Sequence, residues 1–229
     1  MTGEWLTYRL ADFVPFSAEV YFRMIERVNA TEWPLHLLSL AGTLALLPML
    51  RWGHRRSVAL LLTAMWVWVG YGFLLSEYAS LNWAAGPIAW VFYGQGALLA
   101  ALGLSGKFAL GERSHPAPVP WVGAVLCWLG LCYPVLAFAT AGGFGRGEVV
   151  GIHPDPTAVA TLGVCLLALR GWALWVSMIV PLSWCLFSGL TLWVLGAVWA
   201  LPLMACAGVA LAAALAAGCF KPWCARRHS

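Results

Sequence analysis

Long runs of apolar residues, separated by short polar or glycine- and proline-containing breaks, follow one another from about residue 35 to residue 220. A helix needs about 20 mostly apolar residues to cross the ~30 Å hydrocarbon core of a bilayer. This length, together with the positions of the breaks, predicts an all-α integral membrane protein with seven transmembrane helices. The predicted spans are 35–50, 57–75, 83–104, 119–140, 156–169, 173–194 and 201–220.

The fifth predicted span, 156–169, is short. Its fourteen residues cover about 21 Å at 1.5 Å per residue, so it crosses only with help from flanking residues or where the bilayer thins. An arrangement with six spans is therefore the alternative. We prefer seven, because Arg170-Gly171-Trp172 is typical of a tight hairpin between two helices.

The chain is divided into three parts by this pattern: an N-terminal segment at 1–33, a helical membrane domain at 34–220 and a basic tail at 221–229. Within the first part, apolar residues around Tyr21 and Ile25 alternate with charged ones at helical spacing. The spacing predicts an amphipathic helix that lies in the membrane interface. It serves either as a plain anchor or as a lid over a pocket.

Composition and charge agree with this topology. Hydrophobic residues make up 62% of the chain and charged residues 10%, against roughly 45–50% and about 25% in soluble domains. Nine of the thirteen basic residues, but one of the nine acids, fall on one side of the predicted membrane. The positive-inside rule makes that side cytoplasmic. We therefore expect a periplasmic N-terminus and a cytoplasmic C-terminus, and no nucleic-acid partner.

Several chemistries lack the residues they require. The predicted spans contain one histidine, His36, near a helix start, which argues against a haem held by two histidines. Neither lysine lies within a span, so a retinal Schiff base is excluded. No predicted span contains Asp or Glu away from its ends, which argues against a pump driven by protons or sodium ions. We find no catalytic signature and assign no metal or cofactor, so a non-enzyme is preferred and a membrane enzyme stays an alternative.

Polar residues instead concentrate on the predicted periplasmic side, before the first, third and fifth spans. Asp155 is expected to cap the fifth span, with Pro156 as its first helical residue. We expect a binding site in which at least two of His36, Asn82 and Asp155 share one water-bridged hydrogen-bond network. The cavity between them would open outward and be roofed by the N-terminal segment. The predicted site consists of His36, Asn82, Asp155, Glu32, Thr157 and Tyr78.

A set of short motifs distributed over nearly the whole chain resembles a family of uncharacterised bacterial multi-spanning inner-membrane proteins that carry a domain of unknown function. The resemblance implies one membrane domain and no particular activity. The motifs are Trp5-x2-Tyr8 with Asp12-Phe13, Asn29-x3-Trp33-Pro34, Tyr78-x3-Asn82-Trp83-Ala84, Pro154-Asp155-Pro156-Thr157 with Thr161-Leu162-Gly163, and Pro181-x2-Trp184-Cys185 with Thr191-Leu192-Trp193.

Three function classes remain. The preferred one is a small-solute permease or binding protein with a periplasmic-side polar site, favoured by the polar cluster and by spans that contain glycine and proline. The alternative is an accessory or assembly subunit of a larger membrane protein complex, favoured by the lack of intramembrane charge. A membrane enzyme acting on lipid is the third. The bilayer is the expected partner in every case, and the second class adds a protein partner.

Overall fold

The computed structural model describes residues 9–108, 118–135 and 143–219, and this part of the chain is helical. One isolated β-bridge joins Val150 and His153. Single 3-10 turns lie at Leu10–Phe13, Tyr78–Ser80 and Phe144–Arg146. The α-helices are α1 (Ala18–Thr31), α2 (Leu35–Arg51), α3 (Arg55–Trp68, continued as a π-helix over Val69–Leu75), α4 (Ala85–Leu104), α5 (Pro118–Leu131), α6 (Pro154–Ala168), α7 (Gly171–Val194) and α8 (Ala200–Cys219).

Each predicted span overlaps one of the helices α2 to α8, and the described residues confirm the all-helical class. Among the described residues, four helices are long and apolar enough to cross a membrane. The count becomes five if α1 and α2, which meet at a 91° bend, form one broken span. Helices α5 and α6 are apolar but shorter. Helix length and composition alone thus support four or five spans, and these helices are compatible with a membrane protein.

Helix α6 lies at the centre of the bundle. It packs against α5, α7 and α8 and touches α3, and every residue from Pro154 to Ala168 except Leu167 is buried. A helix that is apolar on all sides has no face to present to water. The helix of the short fifth predicted span is therefore a core helix surrounded by its neighbours.

Close backbone contact holds α5 against α6. A Cβ atom added to Gly163 would lie 2.5 Å from the carbonyl oxygen of Gly123, and one added to Gly130 would lie 2.9 Å from the Cβ atom of Ala160. Small residues at such crossings allow helices in a membrane to approach closely and gain van der Waals contact. This contact fixes the position of α6, and with it the residues at its N-terminus.

Helix α1 lies across one end of the bundle, which we call the α1 end. The helix buries Tyr21, Met24, Ile25 and Val28 along one face, and this spacing confirms the amphipathic helix predicted from the sequence. Asn29 also donates hydrogen bonds to the carbonyl oxygens of Gly145 (2.8 Å) and Gly147 (3.0 Å).

The opposite end, which we call the basic end, carries the turn between α2 and α3. There Gly53, His54, Arg55 and Arg56 face Gly103 and Phe108, at the end of α4 and just beyond it. Arg55 and Arg56 thus lie at the end away from α1, on the side to which the charge pattern assigns them. Arg113 and the tail at 221–229 lie outside the described residues.

Candidate functional site

A buried loop enters the bundle at the α1 end. Residues 147–153 are all buried although they form no helix. Non-helical backbone at membrane depth is tolerated where protein surrounds it and supplies hydrogen bonds. Gly151 turns the chain with φ of +80°, and its N–H donates to Thr157 Oγ1 at 2.7 Å. The first turn of α6 thus holds the loop in place.

Two further bonds fix the loop. The Ser39 hydroxyl on α2 donates to the carbonyl oxygen of Val150. The backbone N–H of Val149 donates to His153 Nδ1 at 3.1 Å. Because buried backbone groups need partners, these bonds allow the loop to remain inside the bundle. Its position brings Glu148 into the protein interior.

Asp155 is fully buried and bonded to α7. Its carboxylate accepts hydrogen bonds from Trp184 Nε1 at 2.7 Å and from Ser188 Oγ at 2.9 Å. Trp184 and Ser188 are four residues apart, so both donors lie on one face of α7. The prediction that Asp155 caps the helix is wrong. The helix begins at Pro154, two residues before the predicted first residue Pro156, and its N-cap residue His153 makes no side-chain capping bond.

Glu148 is the second buried carboxylate of this region, with a residue exposure of 3%. Its Oε2 atom has no hydrogen-bond partner among the described residues. Burial, and after it the charge of Asp155, raise the pKa of Glu148 well above its ordinary value near 4.5. The hydroxyl of Tyr133, just beyond α5, lies within interaction range of both acids. We call Glu148, Asp155, Tyr133, Trp184 and Ser188 the acidic centre.

The arginines at the α1 end are engaged elsewhere. None of the basic residues that the structure describes forms an ion pair with Glu148 or Asp155, and the sequences 1–8 and 136–142 contain no lysine or arginine. The acidic centre therefore has no basic partner in the described part of the chain. Three ion pairs of 2.6 Å occupy the arginines: Arg23 with Glu19, Arg27 with Glu77, and Arg146 with Glu26.

His153 does not supply the missing positive charge. Burial, and after it the charge of His36, lower the pKa of His153 to about 3, so the ring is neutral at physiological pH. Because Nδ1 accepts from Val149, the proton of the neutral ring is on Nε2. That atom is buried without a hydrogen-bond partner among the described residues. The ring packs edge-on against Phe73 at 5.7 Å.

A small cavity adjoins the acidic centre. Its volume is about 10 Å³, which is room for roughly one water molecule. Two of its walls, Trp184 and Ser188, are the residues that bond Asp155. Tyr21 contributes a wall from α1, so the N-terminal helix covers the cavity as the lid alternative requires. The lining residues are Tyr21, Phe73, Tyr78, Trp184, Phe187, Ser188 and Thr191.

A family model matches residues 18–218 of the chain, and its description is a family of unknown function, DUF6064. The chain belongs to the DUF6064 family. No curated protein and no solved structure matches it. The family match runs from α1 to α8 and includes every residue of the acidic centre and of the cavity. Family membership supplies no activity, so the function has to be argued from the geometry of the site.

Three of the predicted site residues of this DUF6064 protein belong to the loop, the cavity or the acidic centre. Asp155 is part of the acidic centre, Tyr78 is a cavity wall, and Thr157 holds the buried loop. Among the described residues, no direct hydrogen bond joins any two of His36, Asn82 and Asp155. A network that water bridges stays a prediction.

The other three predicted residues have local partners. His36 Nε2 lies 2.8 Å from Asn29 Oδ1. Asn82 accepts from the backbone N–H of Ala84 at 2.9 Å, and its side chain lies 3.5 Å from the Tyr78 hydroxyl. Glu32 accepts from Trp68 Nε1 at 3.1 Å. Asn82 therefore adjoins the cavity through Tyr78, whereas His36 and Glu32 attach α1 to its neighbours.

The predicted site omits Trp184, Ser188, Tyr21 and Glu148. A signal for two of them was present, because Trp184-x3-Ser188 places an indole N–H and a hydroxyl on one face of an apolar helix. Such donors inside a membrane helix need an acceptor. The nearest acidic acceptor in the sequence is Asp155, in the first turn of α6.

Proposed function

We propose that this DUF6064 protein is a small-solute permease or binding protein of a membrane, with its binding site at the acidic centre and the adjoining cavity. One observation carries the proposal: Glu148 and Asp155 are buried together without a basic partner among the described residues. Buried charges in proteins are normally paired, neutralised by a proton, or bound to a ligand. Burying two carboxylates without a basic partner lowers the free energy of unfolding. That the protein retains them favours a functional role for the pair.

The surroundings of the pair support a site that closes over its solute. The cavity walls Tyr21, Tyr78 and Ser188 are at most 5% exposed. Access from the α1 end therefore requires α1 to move. Helix α1 is attached by bonds that can open and close, namely the ion pairs of Arg27 and Arg146 and the amide of Asn29. Such pairs are only weakly stabilising near the surface, which suits a lid.

For the topology, we infer that each helix from α2 to α8 crosses the membrane, including the short core helix α6. The basic end would face the cytoplasm under the positive-inside rule, and the α1 end would face the periplasm of a bacterial inner membrane. The solute would then reach the acidic centre from outside the cell. The segregation of Arg51–Arg56 from α1 supports this orientation.

A thermal-shift series on the purified full-length protein in lipid nanodiscs tests the proposal. Neutral, anionic and cationic small solutes are added separately, and the melting temperature is recorded for wild type, Asp155→Asn and Glu19→Gln. A ligand that binds only the native state raises the melting temperature by mass action. We expect one solute class to raise it in wild type and in Glu19→Gln, whose side chain is exposed, but not in Asp155→Asn.

The accessory-subunit alternative makes the opposite prediction. If no solute class changes the melting temperature, and a second membrane protein copurifies in fixed ratio, the protein is a subunit of a complex and the proposal is wrong. A solute that raises the melting temperature equally in wild type and in Asp155→Asn also contradicts the proposal, because that solute binds outside the acidic centre.

A further inference from the structure

We propose that α7 is a hinged gate. The helix bends at Pro181, and the side-chain amide of Gln95 on α4 is the latch that holds it closed. When the gate opens, the half of α7 beyond Pro181 moves away from α4 and from Asp155. The inference concerns a movement of the protein and does not depend on which solute the acidic centre binds.

Pro181 interrupts the hydrogen bonds of α7, because it lies inside the helix. Proline has no backbone N–H, so the carbonyl oxygen of Ser177, four residues earlier, cannot receive its usual helical hydrogen bond. The interior of a bilayer offers no water to replace that donor. Helix α7 can therefore bend at Pro181 without breaking a hydrogen bond of its own at this position.

Gln95 supplies the missing donor. Its Nε2 atom donates to the carbonyl oxygen of Ser177 at 2.9 Å, and both residues are at most 1% exposed. Among the described residues, this is the one hydrogen bond that joins α4 to α7. A single net hydrogen bond shifts a two-state equilibrium by about two- to tenfold. The latch is thus specific in its geometry but weak enough to open.

The latch leaves two polar atoms without partners. Gln95 Oε1 and Ser177 Oγ are buried and have no hydrogen-bond partner in the described part of the chain. Buried polar atoms of this kind destabilise the state that encloses them. Water that enters as α4 and α7 separate would hydrate both atoms. The closed and open states therefore differ less in free energy than a fully bonded contact would allow.

Space for the movement lies beside the hinge. A groove of about 250 Å³ separates α4 from α7, and it opens to the outside of the bundle, since its walls Val91 and Ile179 are 50% and 59% exposed. On α7 the groove extends from Ile179 to Phe187, so it lies on both sides of Pro181. The two helices can therefore change their separation here without overlap of side chains.

The half of α7 beyond Pro181 carries contacts of the acidic centre. Trp184 Nε1 and Ser188 Oγ donate to the carboxylate of Asp155. Trp184 is also a wall of the groove, so this one side chain touches both the groove and Asp155. Bending at Pro181 would take both donors away from Asp155 and open the acidic centre toward the lipid. The gate is thus a second entrance, separate from the α1 lid.

Hydrogen–deuterium exchange of the full-length protein in lipid nanodiscs, read by mass spectrometry, tests the gate. Exchange in residues 182–192 reports opening, because backbone amides exchange when local opening admits water. Gln95→Leu leaves the carbonyl of Ser177 without a donor in the closed state, so it should speed exchange in this segment by about two- to tenfold. Residues 154–168 should keep the wild-type rate. Gly94→Ala, which has open space around it on the same helix, is the control and should not speed exchange.

A second variant separates the latch from a general loss of stability. Pro181→Ala restores the backbone N–H that the carbonyl of Ser177 lacks. This variant alone should slow exchange in residues 182–192. Adding Gln95→Leu to it should then change the exchange rate by less than twofold, because the carbonyl no longer depends on the amide. If Gln95 contributed only packing, Gln95→Leu would give the same increase on both backgrounds.

Three results overturn the inference. The first is an equal increase of exchange in residues 182–192 and in α6 on Gln95→Leu, which would make Gln95 a support of the whole fold. The second is no change in residues 182–192. The third is the same increase with and without Pro181→Ala. If Gln95→Leu does not fold, Pro181→Ala alone decides, since unchanged exchange in residues 182–192 excludes the hinge. The solute-binding proposal is tested separately, by the thermal shift of Asp155→Asn.

Discussion

Replacing Glu148 by glutamine should remove a pH dependence of stability that the wild type has. In the folded protein, burial and then the charge of Asp155 hold the pKa of Glu148 well above its ordinary value near 4.5. The folded state therefore keeps a proton that the unfolded state releases. Stability is full below about pH 4.5 and falls as the pH rises, until the folded pKa is reached.

The size of this effect follows from a single proton. Each pH unit is worth about 1.4 kcal/mol per proton bound differently by the two states. Between pH 5 and pH 7 the wild type should thus lose up to about 2.5 kcal/mol through Glu148. Glutamine cannot ionise, so Glu148→Gln should have a flatter profile and exceed the wild type in stability at pH 7. Asp155, Tyr21 and Tyr133 also face this group and remain in both proteins.

The assay is denaturant unfolding in a mild detergent, followed by tryptophan fluorescence at several pH values from 5 to 7. Glu19→Gln is the matched control, since Glu19 is an exposed partner of Arg23; its profile should follow the wild type. Parallel profiles for wild type and Glu148→Gln would show that Glu148 is not buried in ionisable form beside Asp155, and would refute the reasoning.

Further predictions concern the fold. Gly163→Ala should destabilise the protein by about 1–3 kcal/mol, because its Cβ would meet the α5 backbone. Gly94→Ala, with open space around it, should be neutral or stabilising by up to about 1 kcal/mol; equal melting temperatures would contradict this. Thr157→Val should cost about 1–3 kcal/mol by removing the buried partner of the loop N–H, measured by thermal melting. Reporters fused after Ser229 and within the loop at Gly147 should be active on opposite sides of the membrane.

Much of the fold could be predicted, because each apolar run is long enough to define a helix whatever packs against it. The predicted spans overlap α2 to α8, and several helix ends differ by only a few residues. The start of α6 differs because Pro154 and Pro156 are both compatible with a first turn. The role of α6 as a core helix could not be predicted, since its burial on all sides depends on α5, α7 and α8.

The site was predictable only in part. Asp155 and Tyr78 were found because polar residues beside a span start stand out in an apolar sequence. The partners of Asp155 lie 29 and 33 residues away on another helix, and only the packing of α6 against α7 brings them together. Glu148 lies in a loop, and loops usually run over the surface, so its burial had no local signal.

The positions of His36 and Asn82 show that a similar predicted depth in the membrane does not by itself bring side chains together. Both were expected near Asp155 because all three lie close to helix starts on the same side of the predicted membrane. Depth does not specify the direction in which a side chain points around the bundle. His36 bonds Asn29 on α1, whereas Asn82 bonds the backbone N–H of Ala84 and adjoins the cavity through Tyr78.

A high-resolution experimental structure at a pH near 7 would test the central claim most directly. The account predicts that Glu148 and Asp155 are both enclosed in the bundle, with no arginine or lysine side chain against either carboxylate. The account would be contradicted by Glu148 paired with an arginine, or by both carboxylates open to bulk water with a protein side chain filling the cavity.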